Sequence, residues 1–280
     1  MEQTFEQSRK LAYQIRQDII QMLDYAKSGH SAGPLGLADV LVSLYFHVLR
    51  HDPKNPLWED RDRFVLSNGH TCPVLYATLA RAGYFPVSEL KTLRTFGSRL
   101  QGHPHRTSLP GLETTSGPLG SGIAQAVGMC LGAKLDRKKW ETWVVASDGE
   151  LQEGNSWEAI QAASRYHLNN LTAIVDRNNI QIDGFTEQVM PLEPLKDRFE
   201  AFGWHVLEVD GHNIEAVVDA CNEARSIFEK PVVIIAHTIP GKGVDFMEFD
   251  YKWHGEAPGH DEAHKALQEL RTLKGKVEPE

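Results

Sequence analysis

Thr142-Trp143-Val144-Val145-Ala146-Ser147-Asp148-Gly149-Glu150 begins as an apolar, β-branched run and ends abruptly in polar residues. A short run without apolar/polar alternation, closed by an Asp-Gly turn signal, reads as a strand buried on both faces. Leu171 to Val175 and Val232 to Ala236 have the same character, and His205 to Val209 and Arg63 to Leu66 read as further strands. Helical spacing separates them at Ser156 to Tyr166 and Ile214 to Phe228. This alternation predicts an α/β fold with a doubly wound parallel sheet flanked by helices.

Upstream, Leu11, Ile15, Ile19, Met22, Leu23 and Ala26 recur at helical spacing until Gly29, so a helix feeds a loop carrying His30. Further helices are predicted from Gly36 to Leu49 and from Pro73 to Arg81, with Asn68-Gly69-His70 in the loop before the latter. Gly97 to Gly122 is rich in Gly, Pro, Ser and Thr, and long loops of this kind usually carry function. A helix then follows through Ile123, Val127, Leu131 and Leu135.

The length of 280 residues, 41% apolar, suits one large domain over residues 1–280, closed by a short helix and the charged tail from Lys274 to Glu280. The net charge of -9 comes from 29 basic and 38 acidic residues without a basic block, which excludes nucleic acid as a partner. Cys72, Cys130 and Cys221 stand far apart in apolar stretches and read as reduced core residues, pointing to the cytoplasm. The N-terminus lacks the pattern of a secretion signal, and the most apolar segment, Leu35 to Leu49, is too short and too polar to cross a membrane.

In open α/β sheets, ligands sit at the carboxyl ends of the strands. Asp148 ends one predicted strand and Asn178, in Asp176-Arg177-Asn178-Asn179-Ile180, ends the next, so the two are expected to meet at one sheet edge. One carboxylate and one amide oxygen form a sparse site that suits Mg²⁺ held chiefly by a phosphorylated ligand. Gly149 lets backbone N–H groups approach phosphate oxygens. Asp148 is expected to be exposed, so that its loss leaves the domain folded. Four of the thirteen histidines, His30, His70, His103 and His254, lie beside glycines in loops, whereas His47 falls in an apolar helix as a packing residue.

An Asp-Gly strand end followed by Asn at the next strand end resembles the diphosphate and metal motif of thiamine-diphosphate enzymes. Ser28-Gly29-His30, Ser67-Asn68-Gly69-His70, Gly102-His103-Pro104, Gly117-Pro118-Leu119-Gly120, Gly149-Glu150-Leu151-Gln152-Glu153-Gly154 and Trp253-His254-Gly255 resemble, in order, the motifs of transketolases. The resemblance implies the thiamine-diphosphate-binding fold of the diphosphate-binding domain. It also implies roles for single residues. Asp148, Asn178 and the carbonyl of Ile180 would ligate Mg²⁺, with Ca²⁺ or Mn²⁺ able to substitute. Gly149, His70 and His254 would contact the diphosphate or the reactive end of thiamine diphosphate, and Gly117 and Leu119 its aminopyrimidine. His30, His70, His103 and His254 would surround the substrate's hydroxyls and carbonyl, and Lys242, in a flexible loop, would add charge near the diphosphate. Glu153 and Glu158 match glutamates near the subunit interface. Ser147 stands where the family usually has Gly, a departure that leaves both side-chain ligands intact.

In ordinary transketolases the activating glutamate and the pyrimidine pocket belong to a second domain, and no such domain follows here before Glu280. The resemblance therefore implies a two-chain enzyme. A separate C-terminal subunit carrying the pyrimidine-binding domain would complete an α2β2 assembly that moves a two-carbon ketol group between sugar phosphates. The α subunit of a 2-oxo acid dehydrogenase is disfavoured by His30, His103 and Trp253-His254-Gly255, and a catalytically silent relative by the intact Asp148, Asn178 and loop histidines.

Overall fold

The computed structural model describes residues 4–277. Ten helices, among the described residues, are α1 (Phe5–Ala26), α2 (Ala32–Gly36), α3 (Ala38–Ser43), α4 (Cys72–Ala82), α5 (Ser121–Leu135), α6 (Gly154–Arg165), α7 (Thr186–Val189), α8 (Leu195–Ala201), α9 (Ile214–Arg225) and α10 (His260–Val277). The strands are β1 (Arg63–Leu66), β2 (Thr142–Ser147), β3 (Leu171–Arg177), β4 (Ile180–Gln181), β5 (Gly184–Phe185), β6 (His205–Asp210) and β7 (Val232–His237). Five of them form one parallel sheet in the order β1-β2-β3-β7-β6. β4 and β5 form a separate antiparallel hairpin.

The sheet is buried on both faces because its central strands send alternate side chains to two different cores. Trp143, Val145, Ile174, Val232 and Ile234 join the core built with α1, α3, α4, α9 and α10, while Val144, Ala146, Ala173, Val175, Val233 and Ile235 join the core built with α5, α6 and α8. Each buried Val or Ile among them contributes about 1.5–3 kcal/mol. The predicted doubly wound sheet is therefore present, with β1 as expected, β2, β6 and β7 one residue longer than the apolar runs and β3 two residues longer.

α1 is the central helix of the first core, packed on α3, α4 and α10. It begins with a capping box in which the Thr4 hydroxyl accepts from the Gln7 N–H at 3.3 Å and the Gln7 amide oxygen accepts from the Thr4 N–H at 2.9 Å. The helix predicted from Gly36 to Leu49 starts earlier and is divided at Leu37, ending in a wide turn closed by the Leu49 N–H on the Leu44 carbonyl at 2.8 Å. Gly36 lies against the segment after β7, where a Cβ would stand 3.0 Å from the Ile239 carbonyl oxygen.

Candidate active site

The register aligns Ser147 with Asp176 and Asp176 with Ala236, so β2, β3 and β7 end nearly flush and present their following loops to one edge. Asp148 and the Asn178 loop meet there as predicted: the Asn179 N–H donates to Asp148 Oδ2 at 2.7 Å. Asn179 adopts φ +64°, a left-handed conformation that Asn tolerates better than most residues and that turns its N–H inward. The Gly149 N–H donates to Asp148 Oδ1 at 2.7 Å, and the Ile180 N–H to Asn178 Oδ1 at 3.1 Å. A Cβ on Gly149 would stand 3.1 Å from Gln181 Cβ and 3.8 Å from the Ile180 carbonyl oxygen, so a side chain there would crowd Gln181 at the mouth of this cradle.

Asp148 is fully buried, which corrects the expectation of an exposed strand-end residue. Its Oδ2 also accepts from Arg177 Nη1 at 3.0 Å, and the same guanidinium reaches Thr186, Glu187 and Glu193. Burial outweighs these partners and pushes the Asp148 carboxyl up to about 6. Burial likewise raises Asp176 to about 7, with the Asp148 charge adding to it, although Thr238 and Asn178 donate to its oxygens.

Glu150 is the buried carboxylate of the loop. Its Oε1 accepts from Ser67 Oγ at 2.6 Å and from the Gly120 N–H at 2.5 Å, joining the ends of β1 and β2 to the start of α5. Burial raises it to about 7. Glu153 and Glu158 are exposed. Sequence reasoning passes over Glu150, Asp176 and Arg177. The available signal is an Asp-Arg pair continuing a strand otherwise without charge, a composition that requires an internal partner.

His70 follows β1, His30 lies between α1 and α2, and His254 ends a short turn anchored by the buried Trp253. Their rings touch: centroids are 4.9 Å apart for His30 and His70, 5.1 Å for His70 and His254, and 5.9 Å for His30 and His254. Ser31 Oγ donates to the Glu256 carbonyl at 2.6 Å and ties two of these loops together. Burial depresses all three imidazoles, His30 to about 4 and His70 well below its ordinary value. His103 stands close enough for its charge to act on His30 and His70, and is itself lowered by burial and then by Arg94. The four predicted histidines thus form one neutral cluster able to donate and accept protons.

A cleft of about 230 Å³ adjoins this cluster, lined by His70, Leu119, Gly149, Gln152, Ile182 and His254 among others. Gly117, at φ +153°, leaves open backbone nearby, since a Cβ there would meet nothing within 4 Å. Buried polar atoms without a protein partner concentrate around His70: His30 Nδ1, His254 Nδ1, the Asn68 amide and Ser116 Oγ. Such atoms need water or a ligand as partner. Lys242 is not among the residues lining the cleft. Its loop is not the flexible one expected, because the Gly241 N–H is bound to the Ala32 carbonyl and the Gly243 N–H to Glu248, both at 2.9 Å.

The donors near Asp148 are a carboxylate, an amide oxygen and a carbonyl, which suit a hard divalent cation. Among the described residues no group of three or more His, Cys, Asp and Glu could hold a metal, so a cation here would also draw on amide and backbone oxygens and on water or a bound ligand. With the Gly149 cradle and the orphaned polar atoms, the residues present fit a metal-bound diphosphate.

Residues 7–274 match the family described as "Transketolase, thiamine diphosphate binding domain". The chain belongs to this transketolase family. A relative from Phocaeicola vulgatus, one of the subunits of an apulose-4-phosphate transketolase, is 41% identical over 265 residues, which cover 95% of this chain and 94% of the relative. The 6-deoxy-6-sulfo-D-fructose transketolase subunit of a Clostridium species is 44% identical over 220 residues, 79% of this chain and 80% of its own. The solved transketolase of Campylobacter jejuni superposes with a TM-score of 0.90 at 37% identity, covering 96% of this chain and 43% of that one. The transketolase domain described here thus spans less than half of that solved chain and nearly all of the Phocaeicola protein.

Proposed function

We propose that this chain is the thiamine-diphosphate-binding subunit of a two-chain transketolase, which transfers a two-carbon ketol group from a ketose phosphate to an aldose phosphate. The observation that carries this reading is the cleft in which His70, Leu119, Gly149 and His254 converge beside Asp148, on a chain that a single transketolase subunit matches almost end to end. Asp148, Asn178 and the Ile180 carbonyl hold Mg²⁺. Gly149, His70 and His254 receive the diphosphate, and Gly117 and Leu119 lie against the aminopyrimidine. Lys242 lends charge from the periphery. When bound, thiamine diphosphate supplies a nucleophilic carbon and an electron sink for cleaving and making a carbon–carbon bond beside a carbonyl. His30, His70, His103 and His254, kept neutral by burial, orient the sugar's hydroxyls and move protons at its oxygens.

A partner subunit carrying the pyrimidine-binding half completes the pocket, in an α2β2 assembly with pentose phosphates as substrates. Three buried free cysteines suit a cytoplasmic setting, and among the described residues no helix is long and apolar enough to cross a membrane. The test is to assay the purified chain with ketose, aldose, thiamine diphosphate and Mg²⁺, alone and with the partner. Turnover and cofactor affinity should appear together, saturating at one partner per chain. Robust turnover by the chain alone would overturn the two-chain reading.

A further inference from the structure

We propose that Arg94 is a positioning residue: it bridges the loop of His30 to the loop of His103 and thereby sets the spacing of two histidines that handle the substrate. The inference rests on the proposal above that these histidines face the sugar. Arg94 Nη1 donates to Ser28 Oγ at 3.0 Å, two residues before His30, and Arg94 Nη2 donates to the Gly102 carbonyl at 3.4 Å, immediately before His103. The two acceptors are a hydroxyl and a carbonyl on segments far apart in sequence, and a planar guanidinium can reach both at once.

Three further features hold the side chain in that position. A Cβ on Gly102 would lie 2.8 Å from the guanidinium carbon, so the glycine at that position leaves the room the guanidinium occupies. Arg94 itself has φ +58°, a conformation that a non-glycine residue keeps only where its surroundings impose it, often beside a functional site. Its N–H donates to the Leu100 carbonyl at 2.9 Å and closes the loop that delivers His103. The charge of Arg94 also acts on both imidazoles, adding to burial in keeping them neutral.

The experiment uses the complete enzyme, assembled from this chain and its partner. Arg94→Met should lower kcat/KM for the sugar by about tenfold, since small misplacements of catalytic groups are costly. Arg94→Lys should recover less than about twofold of that loss, because an ammonium cannot span both acceptors. Affinity for thiamine diphosphate with Mg²⁺ should stay within about twofold, and amide exchange at residues 28–31 and 100–104 of Arg94→Met should accelerate. Full rescue by Lys would show that charge, not bridging, is what matters, and would overturn the proposal. Unchanged turnover in Arg94→Met, or parallel loss of cofactor affinity, would also overturn it. Should Arg94→Met fail to fold, Ser28→Ala removes one arm, with about a threefold loss expected and no loss refuting the bridge. His30→Ala in the same assay separates the two readings: if it keeps full turnover, the substrate site itself is misassigned, whereas loss there with none in Arg94→Met condemns only the bridge.

Discussion

Arg177 Nη1 stands 3.0 Å from Asp148 Oδ2, with 4% and 0% of the two side chains exposed. The carboxylate proposed to bind a cation is therefore already opposed by an internal cation, which the rim carboxylates Glu187 and Glu193 in turn offset. Removing one member of a buried pair leaves a charge uncompensated and costs about 3–5 kcal/mol, and these two remaining acidic partners place Asp148→Ala at the lower end of that range. Urea unfolding should register this loss, and Mg²⁺-dependent retention of thiamine diphosphate should disappear with it. A variant as stable as wild type, or one that binds cofactor undiminished, would contradict the placement.

Glu150→Ala leaves the donors of Ser67 and Gly120 without their acceptor at the junction of β1, β2 and α5. Each unmet buried donor costs about 1–3 kcal/mol, so a loss of about 2–4 kcal/mol is expected, partly relieved where the cleft admits water. Glu150→Gln keeps an acceptor oxygen and should lose roughly 1 kcal/mol. Thermal unfolding of the two variants gives the comparison, and equal losses would show that the carboxylate shape is immaterial.

Acid should weaken the histidine cluster. His30 titrates near 4 in the fold against about 6.5 when unfolded, so unfolding takes up a proton between those values. Its contribution is complete above about 6.5 and is lost as pH falls toward 4, with a slope of up to about 1.4 kcal/mol per pH unit. Asp148, Glu150 and Asp176 act with opposite sign, because their raised values mean that the fold binds protons first and loses that contribution as pH rises through about 6 to 7. The difference between wild type and His30→Gln isolates the imidazole. Parallel stability curves for the two between about pH 4.5 and 7 would refute the assignment.

His103→Ala should reduce kcat/KM for the sugar by about 10- to 100-fold while leaving cofactor affinity nearly intact, as expected for a lost hydrogen bond or proton relay to the substrate. Titration of thiamine diphosphate alongside steady-state kinetics makes the comparison. Matching losses in both would move His103 into the cofactor's surroundings.

Continuous β-branched runs make the parallel sheet legible, because a strand covered on both faces has no polar side to disguise it, and Thr142 and Leu171 begin β2 and β3 as expected. The meeting of Asp148 with the Asn178 loop follows from two adjacent strands ending level. What pattern does not reveal is the internal pairing of charge. Arg177 looks like a loop residue until the sheet register places it beside Asp148, and Glu150 looks like a solvated acid until α5 closes over it. The β4–β5 hairpin turns through Ile182-Asp183, a pair without the usual hairpin signal, and is too short to stand out beside the long apolar runs. The close approach of Gly36 to the Ile239 carbonyl joins segments some two hundred residues apart, which no local window contains.

The strand order gives the chain a particular folding history. β7 is made last of the seven strands among the described residues yet sits between β3 and β6, so β6 has no neighbour in the sheet until β7 is in place. The same late strand leads into Thr238, whose hydroxyl donates to Asp176 and whose N–H reaches the Arg177 carbonyl at 3.3 Å. Long-range parallel pairing of this kind is slow, since distant segments must be brought together before any contact rewards them. On a ribosome, the loops bearing Asp148 and Asn178 therefore emerge well before Thr238, the residue after β7 whose hydroxyl braces Asp176.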